Sequence, residues 1–361
     1  MWRRCYASLF ALLVFALAVA PADAQVQDPR DIDPQSLDEL SRALQFVGET
    51  YADKYTQPIT DAFGGGMHAG LFKTAAVGDG FLPGLPFNVY LGVSATGTLM
   101  AASDKRFTPP TDRVTTTITQ NGQQVDRTLL IQVQGSQTAP AAFGSTDTPD
   151  GDLVVIDEDT RTEIARADLP PGLVDTPVAP LLIPELAVGS ILGTDAQLRY
   201  LPKTRFKSYG TVGLLGVAVR HSLSQYIPLS PLSIAVQGSW QQLSLDVKSP
   251  EGVSSDDVGN IFDASGWAVN LQASKSLPIA PLTFYGGVQY EKFNVEYNYV
   301  FEPTGSGSLS GGPIGVSLDQ TAANNVRGIV GFRLTAAFLQ FNADYALASN
   351  DVFTFGMGVR L

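Results

Sequence analysis

The sequence closes with Phe353-Thr354-Phe355-Gly356-Met357-Gly358-Val359-Arg360-Leu361, in which every second residue is apolar. Because successive side chains of a strand point to opposite faces, this pattern predicts a strand with one apolar face and one polar or small face. Such a strand fits the wall of a barrel and also the edge of a soluble sandwich. The rest of the chain has to distinguish the two.

Strand patterns continue upstream and are separated by connections of two kinds. The predicted strands are 59–75, 86–103, 181–191, 194–202, 208–222, 231–247, 264–276, 281–302, 325–335, 338–348 and 351–361. The connections at 226–231, 277–281 and 335–337 are short and mostly apolar, whereas 248–262 and 303–324 are long and polar. Short periplasmic turns and long outer loops are typical of outer-membrane barrels. Because bacterial barrels have even strand numbers, we predict a transmembrane antiparallel β-barrel of about 12 strands, with 10 to 14 open.

Composition agrees with this class. Hydrophobic residues make up 44% of the chain and charged residues 16%, against about 25% charged in typical soluble domains. No stretch after the amino-terminal segment approaches the roughly 20 apolar residues of a membrane helix. The net charge of −12 provides no basic patch for phosphates, which argues against a nucleic-acid partner.

The first 24 residues are organised like a secretory signal peptide. Arg3 and Arg4 precede an apolar run over 7–20, and Ala22-Asp23-Ala24 offers a small-x-small cleavage site. An amino-terminal membrane anchor is the alternative, but the apolar run is short for a bilayer. Cys5 is the one cysteine, so we expect a mature chain from Gln25 without disulfides, thiolate metal sites or a cysteine nucleophile.

Residues 25–58 are predicted to form a flexible lead and an amphipathic helix. Ser36 and Glu39 fit a capping box. Leu37, Leu40, Leu44, Val47 and Tyr51 then recur at helical spacing. We expect the helix to run from about Ser36 to Lys54 and to stop before Pro58. It would either cap the barrel mouth on the periplasmic side or plug the lumen, and its pattern fits both positions.

Residues 105–180 are predicted to form a polar insertion in the 59–361 barrel. One hairpin pairs 114–119 with 129–133 around Asn121-Gly122, and another pairs 153–156 with 163–165. The insertion could face either side of the membrane. Its acidic residues could bind calcium, but without EF-hand spacing a solvated loop is the favoured interpretation: Asp147, Asp150, Asp152, Asp157, Glu158 and Asp159.

One long strand changes its apolar face. Between 281 and 302 the apolar positions shift from Phe284, Val288 and Tyr290 to Phe293, Val295, Tyr297, Tyr299 and Phe301. This shift marks either the exit of the strand from the bilayer or a bulge. Candidates for the interfacial aromatic girdles are Trp240, Trp267, Tyr290, Tyr297 and Tyr299.

Family resemblance supports the same class. Arg199-Tyr200-Leu201-Pro202 and the run from Gly216 to Pro228, with its turn His221-Ser222-Leu223-Ser224-Gln225-Tyr226-Ile227-Pro228, resemble an uncharacterised Bacteroidota-type outer-membrane β-barrel family. The resemblance extends from about Ala62 to the carboxyl terminus and implies no activity. The last strand also resembles the terminal signal of outer-membrane barrels, although Leu361 stands where an aromatic residue is usual. The helix followed by a glycine-rich segment is similar to the long-chain fatty-acid transporter group of barrels.

The sequence indicates no catalytic, cofactor-binding or metal-binding residues. His68 and His221 are the two histidines, too few for a histidine-based metal site. His221 and Ser222 would face opposite sides of a strand, and Ser224 also differs in face unless the turn reorients it. Gly64-Gly65-Gly66 lacks the lysine of a phosphate loop and is predicted to start a strand that packs closely against another element.

Three functions remain open. The leading hypothesis is a passive, porin-like channel or transporter for a small or hydrophobic solute, with outer-membrane lipid and the barrel assembly machinery as partners. A structural or assembly scaffold for surface or secretion partners is the alternative, motivated by the insertion at 105–180. A soluble secreted β-rich binder is the third.

Overall fold

The computed structural model describes residues 34–77, 88–120, 123–169, 171–172, 175–205, 211–246, 262–278, 280–301 and 314–360. The signal peptide, the acidic lead, the Asn121-Gly122 turn, Leu361 and most of the predicted long loops lie outside these ranges.

One long helix, α1 (Pro34–His68), precedes all the strands. It begins two residues before the predicted cap at Ser36, close to the predicted start, but it continues past Lys54 with Pro58 inside it, so the predicted carboxyl end was wrong. An internal proline costs about 3 kcal/mol of helix stability. Ile59, Ala62 and Met67, which follow the proline, are buried, and their burial offsets that cost. Rules that predict helix ends from neighbouring residues do not include such burial. The helices of the described ranges have no apolar stretch long enough to cross a membrane.

Ten strands form a closed antiparallel barrel. In chain order the strands are β1 (Asn88–Leu99), β2 (Arg106–Phe107), β3 (Asp112–Gln120), β4 (Gln123–Gln134), β5 (Ala139–Pro140), β6 (Asp152–Asp157), β7 (Thr162–Asp168), β8 (Val178–Ile191), β9 (Thr194–Arg205), β10 (Thr211–Ser222), β11 (Ser233–Asp246), β12 (Phe262–Ser276), β13 (Leu282–Phe301), β14 (Ile314–Thr321), β15 (Val326–Ala336), β16 (Leu339–Leu347) and β17 (Val352–Arg360). The barrel order is β12-β11-β10-β9-β8-β1-β17-β16-β15-β13, and β12 pairs with β13 to close it.

The barrel thus has fewer strands than the predicted number of about 12, at the lower limit of the predicted range of 10 to 14. Residues 59–75 belong to α1 and to an extended segment after it rather than to a strand, and the barrel starts at Asn88 rather than at residue 59. Glycine at three successive positions removed the side-chain periodicity that separates helix from strand. β14 lies in the predicted loop 303–324 and extends the sheet outside the barrel, paired with the last residues of β13.

The insertion between β1 and β8 forms a separate lobe. A four-stranded sheet has the order β3-β4-β6-β7, and β2 pairs with β5. The two predicted hairpins are β3–β4 and β6–β7. In the first of them Val114 pairs with Leu129 and Ile118 with Val125, so its second strand begins earlier than predicted. The lobe leaves the barrel at the end that carries the long connections.

The barrel wall has an apolar outer belt and a polar inner face. Along β12 the outward residues Trp267, Val269 and Leu271 are exposed, and the inward residues Asn270 and Gln272 are buried. Outward positions of β17 carry Phe355, Met357 and Val359, as the alternation of the last strand predicted. This arrangement is the inverse of a soluble sandwich, which would bury its apolar face.

The two faces exchange character along β13. Phe284, Val288 and Tyr290 point outward, whereas Phe293, Val295 and Tyr297 point inward and are buried. The pairing of β13 with β12 stays in register throughout, so no bulge causes the change. Beyond Tyr290 the wall resembles a soluble protein, polar outside and apolar inside. Tyr297 is therefore not a girdle residue, which corrects that prediction.

Candidate functional site: the plugged lumen

The lumen is occupied by residues 62–77, the last part of α1 and the extended segment after it, which we call the plug. Helix ends leave backbone carbonyls without intrahelical partners, and here side chains of the wall donate to them. Arg199 Nη1 and Gln241 Nε2 donate to the carbonyl oxygen of Met67 at 2.9 and 2.7 Å. Further donors are Thr98 to Ala62, Arg327 to Gly65, Thr96 to Gly66, Gln289 to His68, Arg199 to Ala69, Gln237 to Leu71 and Arg220 to Thr74. The plug is thus bound around the circumference of the barrel.

Buried ion pairs add to these contacts. Lys73 of the plug pairs with Glu185 of β8, which also accepts hydrogen bonds from Ser94 and Gln197. Arg199 Nε lies 3.9 Å from the same carboxylate. An unpaired charge in such a site is strongly unfavourable, so Lys73 and Glu185 hold each other in place across the lumen.

A second ion pair lies near the end of α1. Arg327 of β15 pairs with Glu291 of β13 and also donates to the carbonyl oxygen of Gly65 at 3.1 Å. Arg199 and Arg327 both approach the carboxyl end of the helix, where the helix dipole favours positive charge. The wall therefore complements the end of α1 in hydrogen bonding and in charge.

The glycines of the plug fit a narrow lumen. A Cβ atom on Gly64 would lie 2.5 Å from Cβ of Ala322, and one on Gly65 would lie 3.0 Å from Thr98. Gly70 has φ +64°, a left-handed conformation that favours glycine. The prediction that Gly64 and Gly65 pack closely against another element was confirmed. They lie in a helix that packs against the barrel wall, however, and not in a strand.

Apolar contacts seal the end of the lumen near the lobe. Phe262, Phe293 and Tyr297 pack around the helix and join the same core as Tyr51 and Tyr55. Tyr55 donates to the carbonyl oxygen of Pro171 in the lobe at 2.7 Å, and burial raises the pKa of both Tyr51 and Tyr55. Lower in the lumen, Leu71 packs against the wall of β9 to β11 with no room for a water molecule.

The two histidines have structural contacts. His68 is buried, and its Nδ1 lies 3.1 Å from Gln241 Nε2. His221 Nδ1 lies 2.8 Å from Thr194 Oγ1, and its Nε2 lies 3.0 Å from the Tyr226 hydroxyl. Ser224 Oγ bonds to the backbone of Ile234 instead. The motif at 221–228 therefore folds the connection from β10 to β11.

The acidic residues of the lobe contact neighbouring turns and arginines. Asp157 pairs with Arg127 at 2.6 Å and accepts from the backbone N–H of Asp159, while Glu158 pairs with Arg113 at 3.0 Å. Among the described residues, no group of three or more His, Cys, Asp and Glu side chains is placed to hold a metal ion.

The plug contacts escaped sequence reasoning because their donors come from many strands. Arg199, Gln237, Gln241, Gln289 and Arg327 lie more than 100 residues beyond the plug. The sequence does show polar residues at the inward positions of strands whose outward positions are apolar. This pattern does not indicate what fills the lumen.

A closed barrel with an apolar outer belt and a polar, occupied lumen defines the class: an outer-membrane-type β-barrel with an internal plug. The chain belongs to the family of unknown function DUF6588, whose pattern matches residues 4–361. No curated protein matches the sequence.

Solved structures with a similar fold are outer-membrane barrels of low sequence identity. A bacterial polysaccharide outer membrane secretin is 8% identical, with 76% of this chain and 98% of that chain covered and a TM-score of 0.29. OmpT of Vibrio cholerae is 10% identical, with 77% and 98% covered and a TM-score of 0.22. The β domain of the Bordetella autotransporter Brka is 9% identical, with 76% and 100% covered and a TM-score of 0.24. With such scores, the functional argument rests on the geometry of this chain alone.

Proposed function

We propose that the protein is a closed outer-membrane β-barrel that anchors its lobe at the membrane surface, as a scaffold for surface or secretion partners. The observation that carries the proposal is the plug, bound through its backbone by side chains from around the wall. A passive channel needs a continuous aqueous path, and the filled lumen argues against one. The outer belt supports membrane insertion, because exposed apolar side chains surround a barrel with a polar interior.

The lobe supplies the surface that a scaffold needs. Its sheet stands at the end of the barrel that carries the long connections, and Ala142 N–H donates to the carbonyl oxygen of Tyr55 at 3.0 Å. The middle of α1 is thus joined to the lobe, and a movement of the plug would be transmitted to the lobe. No enzymatic step and no cofactor form part of this proposal.

Conductance in planar lipid bilayers tests the closed state. We expect no steady conductance from the full chain and large steady conductance from a deletion variant lacking residues 34–77. Deletion of residues 105–177 serves as the matched control, since it removes a segment of the lobe and leaves the plug contacts in the lumen. Steady conductance from the full chain would refute a closed scaffold and restore the channel hypothesis.

Gated transport is the second candidate. It is favoured by the polar nature of the plug contacts, since Lys73–Glu185 and the hydrogen bonds to backbone carbonyls can exchange for water when the plug shifts. Such a protein would show brief conductance bursts under applied voltage. The likeness to fatty-acid transporters, the Bacteroidota type, the assembly machinery as partner and a small or hydrophobic solute remain predictions. The outer belt argues against a soluble binder.

A further inference from the structure

The short connections at one end of the barrel carry exposed apolar side chains. Leu192 lies in the β8–β9 turn, Tyr226, Ile227 and Leu229 lie between β10 and β11, and Phe338 lies in the β15–β16 turn. Leu229 is 101% exposed and Leu192 is 86% exposed. We call these five residues the turn cluster. Turns that face water are usually polar, so an apolar cluster at this position needs an occupant.

Backbone conformation gives a second, independent observation. Leu192 has φ 51°, Leu229 has φ 58°, and Ala337, next to Phe338, has φ 53°. These left-handed conformations favour glycine or asparagine, and a larger side chain there strains the backbone. Leucine stands at two strained positions where its side chain contacts almost nothing in the protein. Favourable contacts between these leucine side chains and a partner outside the protein would offset the backbone strain.

The height of the outer belt identifies that partner. Tyr200, Trp240, Trp267 and Tyr290 form an aromatic row on β9, β11, β12 and β13, with the Trp267 and Tyr290 rings 5.5 Å apart. Beyond the row, outward positions of β11 and β13 become polar, as at Gln242 and Asn294. The row therefore marks the upper limit of the belt, where interfacial aromatic residues are expected.

Below the row the outward apolar face of β11 is shorter than the apolar core of a bilayer. From Trp240 to Ile234, the last outward apolar residue of β11, the chain advances six residues. At about 3.3 Å per residue and a tilt of roughly 40°, this gives a height of ~15 Å, against ~25 Å for the apolar band of outer-membrane barrels. The turn cluster continues the belt beyond the strand ends and supplies the missing height.

We propose that the turn cluster is embedded in the lipid of the inner leaflet, so that the short-turn end of the barrel lies within the membrane interface. This inference rests on the proposed membrane location and adds the depth of insertion. Lys275 of β12 is the charged outward side chain near this end, and its long stem lets the ammonium reach the headgroups. The occupant is lipid because the cluster is continuous with the belt.

Single-cysteine labelling tests the depth. Cys5 is the one cysteine of the chain, so a Cys5→Ser background accepts one new cysteine at a time. Full-length variants Leu229→Cys and Leu192→Cys, labelled with an environment-sensitive fluorophore, are reconstituted into phosphatidylcholine–phosphatidylglycerol vesicles with and without nitroxide-labelled lipid. Leu271→Cys, in the middle of the belt, is the lipid control, and Asn294→Cys, above the aromatic row, is the water control.

We expect lipid quenching of Leu229→Cys and Leu192→Cys to reach at least half that of Leu271→Cys, with blue-shifted emission. Quenching no greater than that of Asn294→Cys, while Leu271→Cys is quenched, would overturn the inference and leave the membrane location intact. Absence of quenching at Leu271→Cys itself would refute the membrane location and the inference with it. Because the vesicles contain no other protein, quenching cannot come from a protein partner.

Discussion

Gly64 is in tight contact with the segment after β14, since a Cβ atom on it would lie 2.5 Å from Cβ of Ala322. We predict that Gly64→Ala destabilises the protein by about 1–3 kcal/mol, because an extra methyl group in a tight contact forces the backbone to shift. Urea unfolding in detergent micelles measures this. The matched control is Gly238→Ala, where nothing lies within 4 Å of the new Cβ atom, and equal effects at both sites would contradict the prediction.

Glu185 is the carboxylate that compensates Lys73 and Arg199 inside the barrel. Glu185→Gln keeps the size of the side chain but leaves both cations without their partner, and breaking a buried ion pair costs about 3–5 kcal/mol. We expect a lower unfolding midpoint and transient conductance in planar bilayers as the plug loosens.

Glu158→Gln in the lobe is the control for Glu185→Gln, because it breaks a largely exposed pair with Arg113. Exposed pairs contribute about 0–1 kcal/mol, so we expect this variant to behave like the unchanged protein. A silent Glu185→Gln variant would show that the ion pair does not hold the plug.

Asp61 connects α1 to the segment after β14, where its Oδ1 accepts the Ala323 backbone N–H at 2.7 Å. Burial raises the pKa of Asp61, although hydrogen bonds from Ala323 and Gln57 oppose the rise. The folded state therefore holds the proton more tightly than the unfolded chain. The resulting stability is complete below the unfolded pKa of about 3.9 and is lost as pH rises through the folded pKa.

Asp61→Asn resembles the protonated side chain and keeps an oxygen acceptor for Ala323. We expect its urea midpoint to exceed that of the unchanged protein at pH 7 and to approach it at a pH near the ordinary carboxyl pKa of about 4. If the difference in urea midpoint between Asp61→Asn and the unchanged protein were the same at both pH values, the prediction that burial raises the pKa of Asp61 would be contradicted.

At the scale of the element, β13 passes from the apolar belt to the polar wall above it without a break in its pairing with β12. Val288 points outward below the aromatic row, and Asn294 points outward above it. We predict that Val288→Lys destabilises the protein by about 2 kcal/mol or more in lipid, since a lysine that faces acyl chains is unfavourable. Asn294→Lys on the same face should change little. Similar effects of both substitutions would place the limit of the belt elsewhere.

Alternating apolar residues were enough to predict the ten barrel strands, because the outer belt requires an apolar side chain at every second position whatever fills the lumen. The same rule misassigned Gly64 to a strand, since three glycines carry no periodicity. The helix beyond Pro58 was also missed, because its stability comes from contacts with strands far along the chain, such as Thr60 with Gln320 at 2.5 Å. Tyr297 fits the pattern of a girdle residue, but the unbroken register of β13 with β12 places its side chain on the face opposite to Tyr290, inside the barrel.

At the scale of the whole molecule, the contacts of α1 and the plug show in which direction the chain passes through the lumen. Tyr55 contacts the lobe, Met67 contacts the middle of the wall, and Thr74 contacts Arg220 and Ser274 near the short turns. The chain therefore runs through the lumen from the lobe end to the short-turn end before β1 begins. If the short turns are periplasmic, as in outer-membrane barrels, we predict that the lobe and the start of α1 lie at the cell surface.

We predict that an epitope inserted before Pro34 and one inserted after Pro149 in the lobe are both accessible to antibody on intact cells. An epitope inserted after Ser230, between β10 and β11, should become accessible only when the outer membrane is permeabilised, because this connection lies at the opposite end. Heat-dependent migration on gels shows that each variant has folded. Surface labelling at Ser230 together with protection of the lobe would reverse the orientation of the barrel. Labelling of the lobe alone, with the site before Pro34 protected, would mean that α1 does not follow the path through the lumen described above.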